Sequence, residues 1–220
     1  KRIRFININF RDIDKIDVDK VDGIMFDLGL SSDQLENGGR GFSFMKDEPL
    51  LMSMKSEVSK DDTTAYDIVN NWSEENIAKI IYGYGEERYS RRIAHAICEA
   101  RERTEIKTTF ELVRIIEGCV PKDFRKSKIH RATKTFQALR IAVNDELHTL
   151  ELGLQNGFDK LKKDGRMAVI SFHSLEDRIV KRYFKKLEQE GSAILINKKP
   201  ITPKEEEIKN NNRARSSKLR

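Results

Sequence analysis

The sequence predicts an α/β fold, a mostly parallel sheet with an all-helical segment inserted into it. Three observations lead there. Two short apolar runs stop abruptly at chemically capable residues, one at Asp27 and the other at Ser171-Phe172-His173-Ser174. Between them, residues 60 to 120 carry helical spacing and no strand pattern. Beyond residue 133, helix, strand and helix patterns alternate. Ligands of an open parallel sheet bind outside the carboxyl ends of its strands. The two run ends are therefore expected to face one crevice.

The elements follow in order. Ile3, Phe5, Ile8 and Phe10 among Arg and Asn suggest a strand over 2–8, then a charged connection to residue 20. Adjacent Ile24, Met25 and Phe26 predict a buried strand over 21–27. A glycine-rich loop, Gly38 to Phe42, comes next. Thr64-x-x-Asp67 and Thr108-x-x-Glu111 read as helix-start boxes. Ile77 with Ile80 and Ile81, Ile93 with Ile97, and Leu112 with Ile115 and Ile116 share helix faces. Phe136, Leu139, Val143, Leu147, Leu150, Leu154, Phe158 and Leu161 recur every three or four residues and predict one long helix from Thr133 to Lys162. Asp164-Gly165 ends it. A strand over 166–172 and a helix over 175–190 follow, with Gly191 as the stop signal. Ile194 to Ile196 suit one more strand before a basic tail.

Composition narrows the function. The 220 residues are 38% apolar and 35% charged, which is polar for a folded protein yet patterned throughout. No apolar run approaches the roughly 20 residues of a membrane helix. Cys98 and Cys119 are too sparse for a disulfide framework, and a reducing, cytoplasmic setting is expected. Net charge is +6, and residues 198–220 hold eight Lys or Arg against three Glu. A basic tail on a near-neutral body points to a polyanion partner, although a solvated terminus has the same composition. No histidine has ligand partners at metal spacing, so no metal site is expected. The chain begins at Lys1 in what reads as mid-domain sequence, and it is expected to be a fragment.

Asp27 closes a buried strand, where a carboxylate can accept hydrogen bonds from a ligand amine or hydroxyl. Its ordinary alternative is a cap on the next turn. Gly29 would let a ligand approach the backbone. Ser174-x-x-Asp177 reads as a capping box with acids suited to a helix N-terminus, which leaves Ser171 and His173 as the site candidates. A Ser31–His173–Asp27 triad lacks any nucleophile-elbow context. Bases interleaved with Phe136 between Lys126 and Arg140, and the arginines of the tail, suit phosphate contacts.

Seven blocks stand in a fixed order: Asp27-Leu-Gly-Leu-Ser-Ser-Asp-Gln-Leu35, Arg40-Gly-Phe-Ser-Phe44, Tyr84-Gly-Glu-Glu-Arg88, Thr135-Phe-Gln-Ala-Leu-Arg-Ile141, Asn144-Asp-Glu-Leu147, Ser171-Phe-His-Ser-Leu-Glu-Asp-Arg178 and Arg213-Ala-Arg-Ser-Ser-Lys-Leu-Arg220. Together they resemble the RsmH (MraW) family over nearly the whole chain. That resemblance implies a Rossmann-like, S-adenosylmethionine-dependent methyltransferase that modifies the N4 amine of a cytidine in 16S ribosomal RNA, in the decoding region of the small subunit. It implies S-adenosylmethionine bound by Phe10, Asp27 and Gln34. It also implies a methyltransferase domain over 1–36 and 133–220, with a helical RNA-recognition insertion over 37–132. The family's Gly-Gly-His cofactor loop has no counterpart here and would lie before Lys1, so the chain is expected to be an N-terminally truncated, inactive member. Leu51 and Ser53 replace an acid and a base of the family pattern, and Arg131 and Asn212 replace prolines.

On this reading Asp27 is catalytic, with Ser31 or His173 orienting the base. Arg40, Arg140, Arg213, Arg215, Lys218 and Arg220 are the expected RNA contacts. The rival expectation is a non-catalytic RNA-binding module.

Overall fold

The structure is a computed structural model that describes residues 3–36, 38–55, 57–121 and 129–220. Among them, in chain order, lie a 3-10 turn (Phe10–Lys15), β1 (Val21–Asp27), α1 (Ser32–Glu36), α2 (Ala65–Asn71), α3 (Glu74–Gly83), α4 (Ser90–Arg103) and α5 (Thr109–Cys119). There follow α6 (Thr133–Asn144), α7 (Glu146–Asp159), β2 (Leu161–Ser171), α8 (Ser174–Gln189), α9 (Glu205–Asn210), a second 3-10 turn (Asn212–Ser216) and β3 (Lys218–Leu219). The chain forms two compact units, Lys1–Gly29 with Leu147–Arg220, and Leu30–Glu146. The sequence had suggested divisions after residues 36 and 132.

The first unit is built on a small mixed sheet of order β1-β2-β3. β1 and β2 are parallel, with Phe26 opposite Val169 and Asp27 opposite Ile170. β2 and β3 are antiparallel, with Ser171 opposite Lys218. Phe26, Leu28, Leu150, Leu154, Val169 and Val180 form its core. α7 can lie close to β1 because Gly157 has no side chain, and a Cβ there would meet the Phe26 ring at 3.0 Å.

Four expected elements differ. Residues 3–8 form no strand, although the β1 edge away from β2 is unpaired among the described residues; Phe5 is 94% exposed. Residues 194–196 form no strand either, since the β2 edge they would need is taken by β3 from the tail. The long helix is two helices. Asp145, at φ 48°, is left-handed and breaks the ladder between α6 and α7, although the apolar spacing runs on across the break. β2 also begins earlier than expected, at Leu161, with Asp164 left-handed inside it at φ 64°.

The second unit is helical. Ile68, Ile77, Ile81, Ile93, Ile97, Leu112, Ile116 and Leu139 are fully buried in one core. Both expected helix-start boxes form, Thr64 with Asp67 and Thr108 with Glu111. Each satisfies backbone N–H groups that a helix start leaves unpaired. No helix among the described residues is long and apolar enough to cross a membrane.

Asn144 ties α6 to the loop before α2. Its Oδ1 accepts from the Met54 N–H at 2.7 Å, and its Nδ2 donates to the carbonyls of Met52 at 2.7 Å and Arg140 at 2.8 Å. Met52 is fully buried and left-handed at φ 52°, so this loop depends on such bonds to hold an unfavourable backbone. Asn144→Ala leaves Met54 N–H and Met52 C=O without their partner and is expected to cost about 2 to 4 kcal/mol. Urea unfolding checks this, and an unmoved midpoint refutes it.

Candidate active site

β1 and β2 run parallel, so their carboxyl ends share one rim of the first unit. The ladder continues one residue beyond Asp27, where the Leu28 N–H donates to the Ile170 carbonyl at 3.1 Å. Gly29 then turns left-handed, at φ 91°, and a Cβ added there would lie 3.8 Å from the Phe172 ring. Asp27 and the Phe172–His173 turn are thus brought to the same rim. Phe26 and Leu28 are buried, so strand alternation points Asp27 to the opposite, open face. Its carboxylate is exposed and has no partner among the described residues.

The turn after β2 is held by a cap displaced one residue from the expected position. His173, not Ser174, is the N-cap of α8, and Glu176, not Asp177, completes the box. Glu176 Oε2 accepts from the N–H groups of Phe172 at 2.8 Å and His173 at 3.3 Å. His173 Nδ1 accepts from the Glu176 N–H at 3.4 Å. Its Nε2 lies 3.2 Å from Glu176 Oε1 but outside hydrogen-bond geometry. With only 10% of its side chain exposed, His173 helps to shape the turn.

Asp177 is free for another task. It accepts from Lys218 Nζ at 2.9 Å and Arg220 Nε at 2.6 Å. Burial pushes its carboxyl up, yet the hydrogen bonds from Arg220 and Lys218 outweigh burial and hold it below the ordinary value. The pair's stabilisation is therefore complete above the unfolded carboxyl's pKa and is lost as pH falls through the lower folded value.

The other expected site residues are dispersed. Phe10 packs edge-on against Phe26, ring centroids 5.7 Å apart, and against Gly153 of α7. It therefore lies on the face from which Asp27 points away. Ser31 and Gln34 belong to the helical unit and cap α1 reciprocally. The Gln34 N–H donates to Ser31 Oγ at 3.2 Å and the Ser31 N–H to Gln34 Oε1 at 3.0 Å. Their Ser-x-x-Gln spacing was the signal for this and went unread.

Arg40, Arg140, Lys218 and Arg220, all expected RNA contacts, have internal partners. Arg40 Nη1 donates to the carbonyls of Ser53 at 3.0 Å and Lys55 at 2.8 Å. Arg140 forms a two-point pair with Glu146, both bonds 2.8 Å. Lys218 and Arg220 hold Asp177. Arg213 and Arg215 sit exposed on the second 3-10 turn. Lys126 lies outside the described residues.

The elements define the class, a protein of helices and a small mixed sheet with Asp27 at the end of one of its two parallel strands. The family model for the MraW methylase family matches residues 1–220. The ribosomal RNA small subunit methyltransferase H of Persephonella marina is 48% identical over 223 residues, covering 100% of this chain and 75% of that protein. Proteins of the same name from Clostridium botulinum strains 657 and Kyoto are each 46% identical over 239 residues, covering 100% of this chain and 76% of theirs. The chain belongs to the MraW methylase family.

Proposed function

We propose that this protein transfers a methyl group from S-adenosylmethionine to the N4 amine of a cytidine in 16S ribosomal RNA, acting in the cytoplasm on the small ribosomal subunit. The family and the relatives' names support the reaction class. The observation that carries the site is the Asp27 carboxylate, without a partner among the described residues, on the rim shared with Phe172. The sheet unit is read as part of a Rossmann-like domain, and the helical unit as an RNA-recognition insertion.

The residues fit such a cofactor. Asp27 has acceptor oxygens with no partner among the described residues, suited to a hydroxyl or ammonium group. Gly29 leaves the backbone open to close approach. Phe10 packs on the opposite face of the sheet, so its role as a cofactor contact rests on the family resemblance alone. Gln34 as a further cofactor contact and Ser31 as a base-orienting group rest on the family resemblance.

The cofactor supplies an electrophilic methyl on a sulfonium. Cytosine N4 is a poor nucleophile because its lone pair is delocalised into the ring. Transfer of the methyl group from the cofactor's sulfonium to N4 would place positive charge on N4 until a proton left to solvent. The Asp27 carboxylate and the backbone carbonyls around Leu28 accept hydrogen bonds from the amine and stabilise that charge. They would also fix the orientation of the amine. The base must leave any stack to reach them.

The test uses the full-length gene product, small ribosomal subunits and methyl-labelled S-adenosylmethionine, followed by nucleoside analysis. Label in N4-methylcytidine is expected. Subunit binding with no label would favour the RNA-binding module instead, and label on another nucleoside would overturn the assigned acceptor.

A further inference from the structure

We infer that Lys218 and Arg220 are positioning residues, which fix the Phe172–His173 turn beside Asp27 by clamping Asp177. The catalytic part of this inference rests on the methyl-transfer reading; the mechanical part does not.

The tail meets β2 along the edge opposite β1. Val169 and Arg220 exchange backbone hydrogen bonds at 2.8 and 2.9 Å. Ser171 Oγ lies 3.4 Å from the Lys218 carbonyl and donates to it. The tail is itself held from behind, where Ile201 and Leu219 exchange hydrogen bonds at 2.9 Å. From this strand Lys218 and Arg220 reach the first turn of α8. Asp177 lies one residue past Glu176, whose carboxylate caps Phe172 and His173, and its own N–H donates to the His173 carbonyl at 3.2 Å.

The rim turn is thereby tied on two sides. β1 lies on one, through Gly29 against Phe172, and β3 with the clamp lies on the other. Two short charged bonds on a largely buried carboxylate are stronger than exposed ion pairs. The side chain of Arg220 is only 11% exposed, which suits a fixed internal partner rather than a mobile phosphate grip.

The two roles for the tail predict opposite kinetics. A phosphate grip acts on RNA affinity and its salt dependence. A positioning clamp acts on kcat, because small displacements of a rim cost rate without costing RNA affinity.

The test compares full-length wild type, Asp177→Asn, the double variant Lys218→Ala/Arg220→Ala, and the triple variant. Expected is a fall in kcat of about 10- to 100-fold in Asp177→Asn and in the double variant. The triple variant should be no worse, since all three residues act as one unit. KM for RNA and its salt slope should stay unchanged, and Arg220→Lys should recover part of kcat. Counting active sites by cofactor binding separates this from simple loss of folded protein. A raised KM with a flatter salt slope in the double variant would overturn the clamp in favour of an RNA grip.

A second readout needs no activity. Amide exchange at Phe172 and His173 should quicken by about tenfold or more in Asp177→Asn, while Phe26 in β1 stays protected. Unchanged exchange at the turn refutes the clamp even if wild type transfers no methyl. An inactive wild type with faster exchange at the turn in the variant would sink the methyl-transfer reading and leave the clamp standing.

Discussion

Asp27→Ala in the full-length gene product is expected to lower kcat for methyl transfer by about 10²- to 10³-fold while leaving folding intact. The two halves of this result have separate causes. The carboxylate is exposed and has no partner among the described residues, so its removal takes no stabilising bond from the fold. Substitutions of that kind shift stability by about 0.5 kcal/mol or less. The rate loss follows from removing the acceptor that meets the charge developing on the amine. Asp27→Asn should lose less, because its amide keeps one acceptor oxygen but no negative charge. Single-turnover rates at saturating cofactor measure both variants, and a wild-type rate in Asp27→Ala would remove the residue from the mechanism.

Gly41→Ala is expected to destabilise the helical unit by about 3 to 5 kcal/mol. Gly41 is left-handed at φ 74°, which costs a side-chain-bearing residue energy before any contact is considered. A Cβ there would also fall inside contact distance of the Pro49 carbonyl oxygen and 3.2 Å from Thr109 Cγ2. Neither neighbour can yield cheaply. The Thr109 N–H donates to the Glu48 carbonyl at 3.0 Å, the Glu48 N–H to Thr109 Oγ1 at 3.1 Å, and Thr109 Oγ1 to the Lys46 carbonyl at 2.6 Å. The Gly41 N–H itself donates to Glu48 Oε2 at 2.9 Å. Denaturant unfolding gives the loss directly. A change under about 1 kcal/mol would mean that the segment relaxes around the methyl group.

Both predictions begin from residues inside sequence blocks, yet the sequence exposed their roles unequally. Asp27 was legible because a strand that ends in a carboxylate has a local pattern. Gly41 could be read as part of a loop, but not as a residue pressed against Pro49. The caps show the same limit at finer scale. Thr64 and Thr108 were read correctly, because Thr-x-x-acid boxes are local. At residues 173–177 two overlapping boxes compete, and spacing alone favours Ser174 with Asp177. Burial of Glu176 and the pull of Lys218 and Arg220 on Asp177 decide the other way. That choice makes His173 the N-cap of α8.

The basic tail marks the limit of composition. Its composition is that of a nucleic-acid grip, and two of its cations are instead spent inside the fold. Charge density registers cations without registering their partners, and Asp177 lies 41 residues before Lys218.

Read alone, the sequence determined the helical starts, the β1 strand though not its burial, the placement of Asp27 at a strand end and the family likeness, because each is written in contiguous residues or their spacing. Only the tertiary structure decided that the helix breaks at Asp145, that β3 rather than residues 194–196 takes the β2 edge, and that Arg140, Lys218 and Arg220 face carboxylates within the protein. Those outcomes depend on which groups compete for one edge or one charge, and such competition exists only once the chain has folded.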